Sequence, residues 1–295
     1  MAAPARVTPP VHALFFTDES VIQKVVITAI VIASIAAFLV VLTWTFQERI
    51  AFQPPRGPWP VPAGVVRADY RAEDGQPLFA YIIGEPGTSR GLLLSFHGNA
   101  DLAVWQIDWA REASARTGFS VMLAEYRGYM GLGGRPSYAA SQRDANAAYR
   151  HAVDTLGVPA GRIAFFGHSM GSAIAAELAA RHAPAALLLQ SPFTSARDMA
   201  RRVVGYRPPG IIWNVISRLH FDTGARVATL SAPVSVAHGG RDRLIPHAMG
   251  ERIYAAARVR GQWLFVPEAA HNDVSIRGGE AYWSWMNGAL APVTE

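Results

Sequence analysis

The chain has no cysteine in its 295 residues. That excludes a disulfide framework, a thiolate nucleophile, an iron–sulfur cluster and a Cys-ligated zinc site. It leaves the redox compartment open, because a chain without thiols suits either. Lysine is almost missing too: Lys24 stands alone and every other basic residue is arginine. Charge as a whole is scarce, 17% of residues against the ~25% usual in soluble domains. With 51% hydrophobic residues, the composition excludes a disordered chain. The 26 glycines and 20 prolines show no Gly-X-Y period, which excludes a collagen-like chain. Net charge is +5, but the arginines are scattered among acids. No basic run interleaves with aromatics, so no nucleic-acid partner is expected. Attraction to an anionic membrane surface is compatible with this balance.

One stretch explains the positive mean hydropathy of +0.14. No charge falls between Val25 and Gln47. Twenty helical residues at ~1.5 Å each span ~30 Å, the thickness of a bilayer core. The spacing predicts a transmembrane helix over residues 25–47, preceded by an N-terminal tail, 1–24. Trp44, Phe46, Phe52 and Trp59 suit an interfacial aromatic belt. A buried core helix and a cleavable signal peptide are the rival readings. Core helices rarely run this far without a polar face, and a signal peptide has a shorter apolar core followed by a small-residue site. Arg6 and Lys24 before the span balance Arg49 and Arg56 after it. The lean is to an N-terminus inside, with the large domain outside the cytoplasm. Residues 48–64 form a linker carrying five prolines between Pro54 and Pro62, which favours an extended spacer.

From residue 65 to 295 the pattern alternates. Val65–Tyr70 and Leu78–Ile83 read as an antiparallel hairpin around Glu73-Asp74-Gly75. Six nearly all-apolar runs follow, ending at Phe96, Ala124, Phe166, Gln190, Ala237 and Val266, as strands covered on both faces should. Helical patterns lie between them, near Asp101–Thr117, Ser137–Leu156, Gly171–His182, Pro246–Val259 and Gly278–Leu290. The predicted class is α/β: a mostly parallel central sheet of about eight strands, helices on both faces and right-handed crossovers. Ligands of such sheets bind beyond the carboxyl ends of the strands. Thr194 to Leu230 breaks the rhythm, with room for a short cap of one or two helices (Ala196–Val204, Ile211–Leu219).

After the run ending at Phe166 stands Gly167-His168-Ser169-Met170-Gly171, then a helical pattern. Gly-x-Ser-x-Gly between strand and helix is the context of a nucleophile elbow, in which the glycines keep strand and helix from clashing. The bare motif also occurs by chance around a structural turn serine. A serine hydroxyl needs a base, and the base an acid. Asp242 follows one later strand and His271 the next, 29 residues on, in the order Ser, Asp, His. Singly, each would more often be an N-cap or a surface residue. An oxyanion hole needs two backbone N–H donors. Met170, after the serine, is one candidate, and Asn99 in His97-Gly98-Asn99-Ala100 is the other, with Gly98 allowing the tight turn. His97 reads as a support for loop backbone, and His168 and His238 as packing or supporting residues. These histidines lack ligand spacing such as H-E-x-x-H. No metal and no cofactor is expected.

Together these residues resemble the α/β-hydrolase superfamily over roughly Val65 to Leu290. The membrane-anchored subgroup related to Bem46 and the eukaryotic ABHD-type proteins fits best. The segments that carry the resemblance are His97-Gly98-Asn99-Ala100, Tyr126-Arg127-Gly128-Tyr129, Gly133-Gly134-Arg135-Pro136-Ser137, Gly167 to Gly171, Ser191-Pro192-Phe193 and His238 to Asp242. The resemblance implies a serine hydrolase with Ser169 as nucleophile, Asp242 as acid, His271 as base, and Asn99 and Met170 as oxyanion donors. The subgroup usually has Asp where Glu125 stands and Gly-x-Ser where Met130-Gly131-Leu132 stands. Both are read as changes in a rim loop that alter pocket shape. The expected reaction is cleavage of carboxylic esters or thioesters through an acyl-enzyme. Small-molecule, lipid or acyl ester substrates near the membrane are the expected partners. The alternatives are a serine peptidase of the same superfamily and a non-catalytic, membrane-anchored binding platform.

Overall fold

In the computed structural model the described residues are 19–55, 57, 59–205 and 210–294. Most of the expected tail, Arg6 included, lies outside them, as do Arg56 and Pro58 of the proline-rich segment. The chain divides into two compact units, Met1–Thr45 and Phe46–Glu295.

In the first unit runs most of helix α1 (Glu19–Ala51). It extends beyond the apolar run because Glu19 to Lys24 and Gln47 to Ala51 carry no glycine or proline to stop it. Its segment Val21–Ala51 is the one described helix long and apolar enough to cross a bilayer.

In the second unit, strands β1 (Val66–Arg71), β2 (Pro77–Ile83), β3 (Leu92–Phe96), β4 (Ser120–Ala124), β5 (Ile163–His168), β6 (Leu187–Gln190), β7 (Val234–Gly239) and β8 (Arg260–Val266) form one sheet. Its order is β1-β2-β4-β3-β5-β6-β7-β8. The first hairpin pairs antiparallel, β2 pairs antiparallel with β4, and every later pairing is parallel. Every residue of β3 to β7 is buried, which is why these runs lack the alternation of a half-exposed strand.

The helices between the strands are α2 (Ile107–Thr117), α3 (Tyr138–Arg150), α4 (Met170–Ala179), α5 (Ala196–Val204), α6 (Gly210–Ile216), α7 (Thr223–Val227), α8 (His247–Ala256) and α9 (Val274–Leu290). Helix α2 packs on α9, while α3, α4, α7 and α8 pack in series, so two helical layers sandwich the sheet. Helices α5, α6 and α7 fill the stretch read as a short cap, and five-residue α7 is too short to give a periodic signal in the sequence. Helix α9 starts four residues before the pattern suggested and kinks at Gly279, whose φ is +48°.

Strand order reverses between β3 and β5, the switch point at which such sheets leave a crevice. The loops after β3 and β5 both leave the sheet at its carboxyl edge there.

Candidate active site

Ser169 is the first residue beyond β5, with φ +54° and ψ −118°. That lies outside the broad allowed regions for an L-residue, and such strain persists only where surroundings over-determine it. The surroundings are a close strand–helix approach. A Cβ on Gly167 would strike the Gly171 carbonyl, and one on Gly171 would strike the Phe96 carbonyl. On the neighbouring loop, a Cβ on Gly98 would come within 3.3 Å of the Ser169 Cβ. The Ser169 N–H donates to the Gln190 carbonyl at 3.0 Å, tying the elbow to β6.

The structure brings Ser169, His271 and Asp242 together. His271 Nε2 lies 2.9 Å from Ser169 Oγ, and Nδ1 lies 2.7 Å from Asp242 Oδ2. Asp242 is buried, and its Oδ1 accepts the N–H groups of Leu244 at 2.9 Å and Ile245 at 2.7 Å. Burial alone would raise its pKa. Hydrogen bonds from His238 and His271 outweigh that and hold the carboxyl well below the usual carboxylate range. An ionised Asp242 calls for hydrogen on His271 Nδ1, which leaves Nε2 free to accept the hydroxyl proton of Ser169.

Two more histidines support this line. His238 Nε2 faces the Ile245 carbonyl at 2.9 Å and Asp242 Oδ2 at 3.4 Å, both acceptors, so Nε2 carries the hydrogen. His168 Nε2 lies 3.1 Å from the His271 carbonyl and donates to it, and Ser191 Oγ donates to the same oxygen at 3.3 Å. Burial and the neighbouring His271 push the His168 pKa down to about 3. It stays neutral, adding no positive charge beside His271 while holding the loop that carries it. Both residues, read as packing or supporting, lie against the loops that carry His271 and Asp242.

Across the crevice, His97, Gly98 and Asn99 form the loop after β3. The backbone N–H groups of Asn99 and Met170 donate to no protein acceptor among the described residues. Met170 opens helix α4, whose N-terminal partial charge favours an anion. His97 is wholly buried. Its Nδ1 faces the Gly98 carbonyl and its Nε2 faces Glu125 Oε1, each at 2.8 Å. Burial opposes charge on the ring, but the Glu125 carboxylate outweighs it and raises the His97 pKa. With an acceptor at each nitrogen, the surroundings of His97 favour the charged ring, which braces backbone.

Glu125 corrects the sequence reading. It is not a rim residue: it is 1% exposed and lies beneath the loop. Beyond His97, it accepts the N–H groups of Tyr126 and Ala103. The signal available was an acid directly before Tyr-Arg-Gly, ambiguous because spacing alone does not show what it faces. Arg127, next but one, is clamped by Asp74 and Asp144 and stays charged. The side chain of Asn99 was also missed. Its Nδ2 donates to the Ala51 carbonyl at 2.6 Å, and its Oδ1 accepts from the Gln53 N–H and the Tyr129 hydroxyl, each at 2.9 Å. No group of three His, Asp or Glu side chains among the described residues is arranged to hold a metal ion.

A mostly parallel eight-stranded sheet with an antiparallel second strand, a strained serine after β5, and an acid and a histidine after β7 and β8 define an α/β hydrolase. The comparisons agree. Residues 87–220 match the hydrolase family described as serine aminopeptidase, S33. An uncharacterized protein of Mycobacterium tuberculosis is 35% identical over 259 residues, covering 84% of this chain and 89% of that one. The α/β-hydrolase domain-containing protein WAV2 of Arabidopsis thaliana is 28% identical, covering 86% and 89%. A Pyrococcus furiosus esterase has the same fold, with TM-score 0.63 at 18% identity over 81% of this chain and 98% of that one. The chain belongs to the α/β-hydrolase family, and fission-yeast Bem46 is among its relatives there.

Proposed function

We propose that the protein is a serine hydrolase that cleaves carboxylic ester or thioester bonds through an acyl-enzyme. The observation that carries this reading is the continuous line Asp242–His271–Ser169, 2.7 and 2.9 Å, ending on a strained elbow. Ser169 Oγ attacks the carbonyl carbon as its proton passes to His271 Nε2. The carbonyl oxygen becomes an oxyanion within reach of the N–H groups of Asn99 and Met170. Collapse breaks the bond to the leaving alkoxide or thiolate, which takes the proton from Nε2. Water then attacks the acyl-enzyme, giving its proton to Nε2. The second collapse frees the acid and returns the proton to Ser169. Asp242 keeps Nδ1 protonated throughout and stabilises the imidazolium.

Helix α1 serves in this reading as a single-pass anchor, which favours lipid-like or acyl substrates met at the membrane. Faster turnover of soluble short-chain esters than of any long-chain ester would speak against that preference. The decisive experiment for the reaction is fluorophosphonate labelling of the wild type and Ser169→Ala. Labelling lost only in the variant supports an activated serine. A folded wild type that does not label overturns the reading and favours a non-catalytic platform. The family description, serine aminopeptidase, supports a second reading, amide cleavage at a peptide N-terminus. Turnover of amino-acid 4-nitroanilides above that of matched esters would select it.

A further inference from the structure

The second compact unit begins at Phe46, so it includes the last turn of α1 as well as the hydrolase body. Gln47, Glu48 and, just beyond the helix, Phe52 fasten that turn. Gln47 Nε2 donates to the Ile216 carbonyl at 2.9 Å, and its Oε1 accepts the Arg218 N–H at 2.7 Å. Glu48, 3% exposed, pairs with Arg218 at 2.9 Å and accepts the Tyr138 N–H at 3.2 Å. Phe52 is buried with its ring 6.5 Å from that of Phe221, which in turn packs against Tyr138 and Phe193. The turn is thus bolted to the end of α6, to the start of α3 and to the loop between α6 and α7.

From this fastened turn, Ala51 and Gln53 reach the carboxamide of Asn99. With Tyr129 they satisfy one donor and two acceptor positions of that side chain. The backbone around the carboxamide is strained: Ala100 has φ +54° and Met130, next to Tyr129, has φ +47°. Non-glycine residues at positive φ are held only by surrounding contacts. The carboxamide joins both strained loops to the helix end.

We propose that Gln47 to Gln53 form a brace for the oxyanion loop, with the Asn99 side chain as the positioning group that sets the direction of its own backbone N–H. This rests on the reading of that N–H as an oxyanion donor. The membrane-proximal end of α1 then acts on the rate of the chemical step as well as on location. A loop released from the brace still binds substrate but meets the oxyanion poorly, so kcat falls while KM holds.

The test uses the full chain in detergent and a 4-nitrophenyl ester. Removing one oxyanion donor outright costs roughly 10²–10³-fold in kcat, so misdirecting one in Asn99→Ala should cost about 10–100-fold. KM should stay within about twofold, since uniform binding is untouched. The double variant Gln47→Ala/Glu48→Ala, which touches no site atom, should lose about 3–10-fold in kcat. Added to Asn99→Ala it should cost nothing further, because coupled groups are non-additive. Additive losses, or wild-type kcat in Asn99→Ala, overturn the brace. If the double variant does not fold, Tyr129→Phe replaces it in the same cycle with the same two outcomes. Ser169→Ala separates the failures. Retained turnover there defeats the serine mechanism, whereas turnover lost in Ser169→Ala but intact in Asn99→Ala defeats only the brace.

Discussion

Two histidine–carboxylate pairs stand at the carboxyl edge of the sheet, His271–Asp242 at 2.7 Å and His97–Glu125 at 2.8 Å. By distance they are the same interaction. They differ in what the far nitrogen meets. In His271 it meets a serine hydroxyl, which can give and take a proton. In His97 it meets the Gly98 carbonyl, which can only accept. They differ also in access: the His271 side chain is 13% exposed and that of His97 is 2%. A carboxylate beside an imidazole therefore does not make a base. The proposed base is the ring whose nitrogen lone pair faces a hydroxyl, whereas the other pair is a cross-brace that holds the loop after β3.

The largest effect that could break this comparison is on rate. His271→Ala should lower ester turnover by about 10⁴–10⁶-fold in kcat, like Ser169→Ala. Its thermal midpoint should change little, because Asp242 keeps the N–H groups of Leu244 and Ile245 and the His238 ring. His97→Ala should do the reverse. It leaves the Glu125 carboxylate buried and unpaired, at a cost of about 3–5 kcal/mol, read as a lower urea midpoint. The fraction that stays folded should still label at Ser169 with fluorophosphonate. If His97→Ala instead abolished labelling at full stability, the two pairs would be functionally alike.

The pH dependence of stability sharpens the contrast, because His97 and Asp242 contribute with opposite sign. His97 has a folded pKa above its ordinary value. Its contribution is fully present below the unfolded value of about 6.5, and is lost as pH rises through the higher folded value. Asp242 has a folded pKa below its ordinary value. Its contribution is present above about 3.9, and is lost as pH falls below that toward the depressed value. Urea unfolding across pH should show the gap between wild type and His97→Phe closing on the alkaline side. The gap between wild type and Asp242→Asn should close on the acid side. Parallel gaps across the range would mean that neither pair couples to protons as described.

How far each pair was legible in the sequence follows from the reach of the contacts. The strand runs, the elbow, and the Ser169, Asp242, His271 order could be read because each residue follows its own strand and the sheet aligns the strand ends. The sheet does not say which side chains meet beneath a loop. Glu125 sits 28 residues from His97, within one motif of it in the fold, yet nothing in its spacing tells whether it points to solvent or to the ring. Gln47 is 169 residues from Ile216, and Asn99 is 48 from Ala51. Such pairs arise only after the sheet, the cap and the helix end have packed. The apolar pattern of α1 pointed to a bilayer span and carried no sign that its last turn would be captured by the hydrolase body.

The smallest expected effect is also the most discriminating for the brace read in His97–Glu125. Glu125→Asp keeps the charge. It shortens the side chain by one methylene. The carboxylate then falls short of one of its three partners, the His97 ring or the N–H groups of Tyr126 and Ala103. The loss should be about 1–2 kcal/mol, a buried methylene together with one stretched charge-assisted hydrogen bond. Turnover should stay within about threefold, since the paired ring still holds the Gly98 carbonyl and, through it, the loop. Equilibrium urea unfolding and ester kinetics on the same preparation check both halves. A variant as unstable as His97→Ala would show that carboxylate position, more than charge, supports the loop. A variant with wild-type stability but a large fall in kcat would mean that Glu125 acts on the reaction directly. The division between a working pair and a bracing pair would then have to be redrawn.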